Sequence, residues 1–155
     1  MRVSAKADYA VRAALELAAA GTTGDATPVK GERVASAQGI PLKFLENILV
    51  DLRQAGIVNS RRGPEGGYWL AKAPAEVTVA DVIRAAEGPL ASVRGEKPED
   101  LGYEGPATEL GQVWIALRAS LRDVLEHVTL ADIAEGRLPS EVTSRTRDPE
   151  AWSRR

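Results

Sequence analysis

Two clusters of side chains in this sequence have types and spacing suited to chemistry. Arg61-Arg62-Gly63-Pro64-Glu65-Gly66-Gly67 puts two adjacent guanidinium groups on a glycine-rich turn. Lys43, Glu46 and Asn47 recur at the i, i+3, i+4 spacing of one helix face. Asn pairs bidentately with adenine, Glu accepts from cytosine N4, and Lys reaches guanine or phosphate. Arg62 on a narrow turn suits a narrow minor groove, where negative potential favours guanidinium. Gly63, Gly66 and Gly67 let the backbone turn tightly and approach closely. Every surface helix has a solvated polar face, so Lys43, Glu46 and Asn47 alone would not single out DNA. The arginine turn beside them does.

Other chemistry is poorly provided for. The 155 residues contain no cysteine, which excludes disulfides, thiolate zinc, cysteine-bound iron–sulfur clusters and thiol nucleophiles. His127 is the single histidine and sits near the end of a long helical pattern, where a structural role is expected. The carboxylates Glu96, Glu99, Asp100 and Glu104 lack the spacing of a calcium loop and have no accompanying nucleophile. There is no P-loop and no dinucleotide fingerprint. An enzyme is not expected, and no metal or other cofactor is called for. The net charge of −2 hides an asymmetry. Residues 1–72 carry ten Lys and Arg against seven Asp and Glu, and residues 73–155 carry ten against fifteen. The basic half suits a polyanion and the acidic half does not. No run of 18 apolar residues is present, so no membrane partner is expected. The N-terminus lacks the apolar run of a signal peptide, which makes the cytoplasm the expected location.

The elements that must position these groups follow from periodicity. Ser4 caps a helix to Ala20, with Val3, Ala7, Ala10, Val11, Ala14, Leu15 and Ala18 at helical spacing and Gly21 as its stop. Residues 22–28 read as a loop. A short helix over 30–38 closes at Gly39. Ile40-Pro41 starts a third helix with the stripe Leu45, Ile48, Leu49, Leu52 and Ala55, ended by Gly56. Residues 57–61 and 68–70 form a hairpin around the glycine turn. Three short helices and a hairpin predict a winged helix-turn-helix. Beyond Pro74, Thr78-Val79-Ala80-Asp81 is a capping box that opens a helix to Glu87. Residues 88–108 read as an irregular loop. Residues 109–128 form the longest helix, roughly 30 Å long, with Leu110, Trp114, Leu117, Leu121, Val124 and Val128 at alternating intervals of four and three. That heptad seam predicts dimerisation in preference to an intramolecular core helix. A second box, Thr129 to Asp132, opens a short helix ended by Gly136. The expected fold class is mainly α, with a two-stranded wing and a long C-terminal dimerisation helix. Its expected parts are a DNA-binding domain at 1–75, a dimerisation region at 76–138 and a polar, frayed tail at 139–155.

The runs Ser4-Ala5-Lys6-Ala7-Asp8-Tyr9-Ala10-Val11-Arg12-Ala13, Gln38-Gly39-Ile40-Pro41 and Phe44-Leu45-Glu46-Asn47-Ile48-Leu49 resemble the Rrf-two family of bacterial regulators (the IscR, NsrR and CymR type). So do Leu52 to Val58, the wing Arg62-Gly63-Pro64-Glu65-Gly66-Gly67-Tyr68, Glu76 to Ile83, and Val128 to Asp132. The resemblance spans roughly residues 1–138. These motifs in order (the stretch from Gln38 through Val58 counting as one of five) are far more specific than any one of them. The resemblance implies a homodimeric winged-helix regulator, a repressor foremost, bound to double-stranded DNA at a palindromic operator. It places Lys43, Phe44, Glu46 and Asn47 on the recognition helix and Arg62, beside Arg61, on the wing. Lys6, Tyr9 and Arg12 fall on a first helix lying near the phosphates.

Three departures from the family stand out. The stretch between the fourth and long helices, where the family carries sensory cysteines, has none here, so no iron–sulfur cluster is expected. Lys30 replaces the usual hydroxyl N-cap of the second helix. Glu65 adds a negative charge to the wing tip, and Pro41 replaces a hydroxyl residue near the phosphates. In place of a cluster, Arg94, Lys97 and Tyr103, with Trp114, are candidates for an anionic-metabolite pocket; a protein partner or no signal at all are the alternatives. A rival reading is a winged-helix protein–protein interaction module without specific DNA binding, which the weak basicity and Glu65 would suit.

Overall fold

The computed structural model describes residues 2–21 and 27–153. Most of the loop expected at 22–28 lies outside the described residues. The elements run α1 (Ala5–Ala19), α2 (Gly31–Gln38), α3 (Leu42–Gln54), β1 (Val58–Arg61), β2 (Gly67–Leu70), α4 (Val79–Glu87), α5 (Leu110–Leu125), α6 (Leu130–Ala134) and α7 (Ser140–Thr146). The mainly helical fold with a two-stranded antiparallel wing is the one the sequence predicts.

Helix α1 occupies the centre. Ala7, Ala10, Ala13 and Ala14 are buried along it, and their small side chains let α2, α3, α4 and α6 pack close around the helix. Ser4 Oγ accepts from the Ala7 N–H at 2.9 Å and donates to the Glu87 carboxylate, so one hydroxyl caps α1 and ties it to the end of α4. The predicted stripe of α3 forms the core: Leu45, Ile48, Leu49 and Leu52 are fully buried against Leu17, Val58 and Leu70. Gly39, at φ 61, reverses the chain between α2 and α3, and Ile40 N–H closes the turn on Ala35 O at 2.9 Å.

Both predicted capping boxes form, and they lie side by side. Thr78 and Thr129 pair as an antiparallel bridge, with Val79 N–H on Val128 O and Leu130 N–H on Val77 O, each at 2.9 Å. Asp132 accepts from the Thr129 N–H at 2.8 Å and from its hydroxyl at 2.7 Å. The backbone N–H and then the hydroxyl of Thr129 hold the Asp132 carboxyl below its ordinary value. A folded pKa below the unfolded one gives stability that is present above the unfolded value, near pH 4. It is lost as pH falls through the folded pKa. Asp132→Asn is therefore expected to flatten the acid limb of the stability–pH curve, and Thr129→Ala to cost about 1 kcal/mol at neutral pH. Urea melts from neutral pH down through the acid range check both. An unchanged acid limb in Asp132→Asn would contradict the first.

Three sequence expectations need correction here. The long helix ends at Leu125, so Val128 is not part of its seam. Val128 is 4% exposed and belongs to the core of its own chain beside the bridge. Val3 precedes α1 and is 79% exposed. The polar tail contains α7, which packs on α5 through the Arg145–Asp123 ion pair. Trp152 N–H donates to Thr146 O at 2.8 Å beyond it.

Candidate nucleic-acid interface

The outer face of α3 is the mirror of its core stripe. Leu42, Lys43, Phe44, Glu46, Asn47 and Val50 are all exposed. Lys43, Glu46 and Asn47 make no hydrogen bond or ion pair among the described residues. Their donors and acceptors are open, while the helix that carries them is fixed along its length.

That fixing comes from α1, through three of the residues expected at the DNA. Lys6 pairs with Asp51 of α3 at 2.8 Å. The Tyr9 ring meets the Phe44 ring edge-on, with centroids 5.6 Å apart. Arg12 lies over the Tyr9 ring at 5.4 Å, pairs with Asp8 at 3.1 Å, and donates to both the side chain and the carbonyl of Gln38. The family resemblance implies that Lys6, Tyr9 and Arg12 also lie near the phosphates. Here they brace the helix-turn-helix, and Arg12 holds the end of α2 where the turn begins. Gln38 in turn donates to Glu16. The contacts from α1 to α2 and α3 span 22 to 45 positions, so no local pattern announces them.

The wing repeats the division between committed and open groups. Val58 pairs with Leu70, Asn59 with Trp69, Ser60 with Tyr68 and Arg61 with Gly67. Val29 joins as a third short edge, exchanging two 2.8 Å backbone bonds with Tyr68. Arg61 donates to Glu65 O at 3.0 Å and so closes the tip, while remaining exposed beside Arg62. Arg62 has no partner among the described residues and is exposed. Lys30, which offers α2 no side-chain cap, instead donates to Gly63 O at 2.9 Å and anchors the wing tip to the start of α2. Arg53 donates to Ser60 Oγ at 3.3 Å and joins the end of α3 to β1. Lys30 and Arg53 are positioning residues that sequence reasoning missed.

A helix-turn-helix with an outward polar face, followed at once by a braced wing, meets its match in the comparisons. The family model described as "Rrf2: Iron-dependent Transcriptional regulator" matches residues 3–136. The chain belongs to the Rrf2 family. It is a winged-helix, DNA-binding transcriptional regulator by that membership. It is 53% identical over 151 residues to Rv1287 of Mycobacterium tuberculosis (strain ATCC 25618 / H37Rv), a candidate HTH-type transcriptional regulator, covering 97% of this chain and 92% of the relative. It is 35% identical over 134 residues to the HTH-type transcriptional regulator CymR of Bacillus subtilis (strain 168), covering 86% of this chain and 90% of CymR. The solved structure of CymR, the global cysteine regulator of B. subtilis, superposes with a TM-score of 0.70 at 34% identity, covering 88% of this chain and 98% of that one. IscR of T. potens superposes at 0.68 and 34% identity, with 88% of each chain covered.

The iron dependence in the family description calls for metal-binding donor atoms from this Rrf2 protein. It has no cysteine to supply thiolates. The His127 Nδ1 donates to Asp123 O at 2.8 Å. Among the described residues no three His, Asp or Glu side chains converge on a point that could hold a metal ion. These residues do not fit an iron–sulfur cluster.

The three residues expected to hold an anionic metabolite are not brought together. Arg94 is exposed, and with Gly95 it forms the two-residue turn of a small bridge between Val93 and Glu96. Both turn residues lie at positive φ, 56° and 82°. Tyr103 lies over Gly111, and its hydroxyl accepts from the Trp114 N–H at 3.0 Å. Lys97 sits elsewhere, in a shallow groove beside Arg118.

Proposed function

We propose that this protein is a homodimeric repressor that binds a palindromic operator, with α3 in the major groove and Arg62 of the wing in the flanking minor groove. The observation that carries the reading is the unpartnered face of Lys43, Glu46 and Asn47 on a helix clamped by α1. Open hydrogen-bonding groups on a rigid support suit base-edge recognition, because no contact within the protein must be broken on binding. Two such helices related by a two-fold axis match half-sites whose centres lie about one or two helical turns apart, roughly 34 Å per turn. A dimer seated on an operator that overlaps a promoter represses by occupancy alone.

Dimerisation is supported by α5. Not one of its 16 residues is buried within the chain. Leu110, Trp114, Leu117, Leu121 and Val124 are all left half-exposed. Trp114, Leu117 and Leu121, with Leu125, line an open cleft of about 540 Å³ that also touches Val3, Ala7, Ile83 and Leu90. A seam this apolar is suited to a second copy of itself.

The test is selection of bound duplexes from a random pool by the purified full-length protein, followed by a salt titration. An enriched palindrome is expected, with log affinity falling by about 0.9 per phosphate neutralised for each unit of log salt. Lys43→Ala and Asn47→Ala are each expected to cost about 1–3 kcal/mol of base discrimination. Arg62→Ala should lose affinity chiefly at A·T-rich flanks. A binding profile unchanged by all three substitutions would overturn these assignments. Absence of any enriched sequence, together with salt-insensitive capture of a protein, would favour the interaction-module reading.

A further inference from the structure

Away from α3 and the wing, four cations from three segments share one shallow groove. Arg84 comes from α4, Lys97 from the connecting segment, and Arg118 and Arg122 from α5. The groove measures about 250 Å³, and Pro89 and Leu90 supply its apolar part. Among the described residues, two carboxylates hydrogen-bond to these four cations. Glu126 Oε1 accepts from both Arg84 and Arg122, the latter at 3.0 Å, and Glu99 accepts from Arg118. Lys97 makes no hydrogen bond or close ion pair among the described residues, and its charge acts on Glu99, which Arg118 already engages. The groove therefore carries a surplus of two positive charges. Two of its arginines share one oxygen, which leaves guanidinium donors unused. Most isolated surface ion pairs are one-to-one; here the cations outnumber their partners on a protein whose net charge is negative.

The backbone is shaped to deliver the connecting segment to this place. Ala91 holds φ 55, a conformation that alanine seldom adopts. Next to it, Leu90 is only 7% exposed. The Val93–Glu96 bridge then turns the chain so that Lys97 and Glu99 return to α5.

We propose that the groove formed by Arg84, Lys97, Arg118 and Arg122 binds a small phosphate-bearing anion. A phosphate monoester or inorganic phosphate carries between one and two negative charges at neutral pH, which matches the surplus. The planar arginine fork fits phosphate oxygens bidentately, and Lys97 adds a compact charge on a flexible stem. A control of DNA binding by this anion rests on the regulatory function proposed above; the binding itself does not. Arg84 links the two, since α4 packs on both α1 and α3.

The experiment is isothermal titration of the full-length protein, without DNA, at constant ionic strength. The probes are inorganic phosphate, glycerol phosphate and succinate. Saturable binding of inorganic phosphate or of the ester is expected, weakened about tenfold by Lys97→Gln and by Arg122→Gln. Lys72→Gln removes the same charge at an exposed site elsewhere and should leave binding unchanged. Tighter binding of the ester would assign the site to a phosphorylated metabolite; equal or tighter binding of inorganic phosphate would assign it to the free anion. No saturable binding, equal weakening by Lys72→Gln, or succinate as tight as phosphate would overturn the proposal. So would a loss of operator affinity in Lys97→Gln without phosphate, which would give the groove to the DNA backbone. Failure of operator selection with phosphate binding intact would refute only the repressor function.

Discussion

Leu121→Glu is expected to convert the protein into a folded monomer and to lower operator affinity by about two to four orders of magnitude. Leu121 is half-exposed in the single chain and lines the open cleft along α5, so a carboxylate there stays hydrated in the monomer. In a two-fold seam the same carboxylate faces apolar residues and its own copy, and both contacts are strongly unfavourable. The fold should survive, because the core lies among α1, α3, α4, α6 and the wing, and α5 adds no buried residue to it. The loss on DNA follows from linkage of two half-sites. Binding of the second recognition helix becomes a separate bimolecular event when the dimer is lost, and the effective concentration of the paired site is forfeited. Sedimentation equilibrium and operator titration on the same sample check both halves. A Leu121→Glu protein that remains dimeric would remove α5 as the seam. A monomer with undiminished operator affinity would remove the two-fold model of recognition.

The sequence made some of this visible and concealed the rest for definable reasons. Contacts that close within four residues were legible. The Thr78–Asp81 and Thr129–Asp132 boxes need only their own residues, and they form as their spacing indicates. The α3 stripe was legible because one helix face must be apolar to be buried. Periodicity misled at Val128, whose interval continues the heptad past the end of the helix. The spacing could not reveal that Val128 turns into a bridge with the start of α4. Arg61 and Arg62 are identical residues side by side, yet strand pairing with Gly67 aims one at the Glu65 carbonyl and leaves the other free. Lys30 gives α2 no side-chain cap, as its type indicates, but its real partner, the Gly63 carbonyl, is 33 residues away and was not legible. Arg94, Lys97 and Tyr103 looked like neighbours because they are close in sequence, but the turn at Arg94–Gly95 and the packing of Tyr103 on Gly111 separate them. Local rules placed the elements; which charged groups are committed and which are open was decided by tertiary contacts.

The wing glycines provide the sharpest test of that distinction. A Cβ on Gly66 would lie 2.1 Å from the Arg61 carbonyl oxygen and 2.7 Å from the Arg62 carbonyl carbon. Both are backbone atoms of the opposite arm of the same turn, so relief requires opening the tip. Opening the tip breaks the Gly66 N–H bond to Gly63 O and moves the Glu65 carbonyl away from Arg61. Gly67 combines two obstacles: φ +149, and a Cβ that would meet the Val29 carbonyl oxygen at 2.6 Å. That contact sits on the Val29–Tyr68 pairing, which fixes the wing to the segment before α2. Gly66→Ala and Gly67→Ala are each expected to cost about 1–3 kcal/mol of stability, from backbone strain and overpacking. Operator affinity should fall with them, because Arg62 is aimed by this turn. Gly63 has φ +98 but open space around it, so Gly63→Ala carries the conformational cost without the clash and should be milder. Gly102 has neither a positive φ nor a neighbour within 4 Å, and Gly102→Ala should be neutral or gain up to about 1 kcal/mol by restricting the unfolded chain. Urea denaturation of the four variants gives the order directly. A Gly66→Ala protein as stable as Gly102→Ala would mean that the tip is not closed by Arg61, and that Arg62 is aimed by something other than the turn.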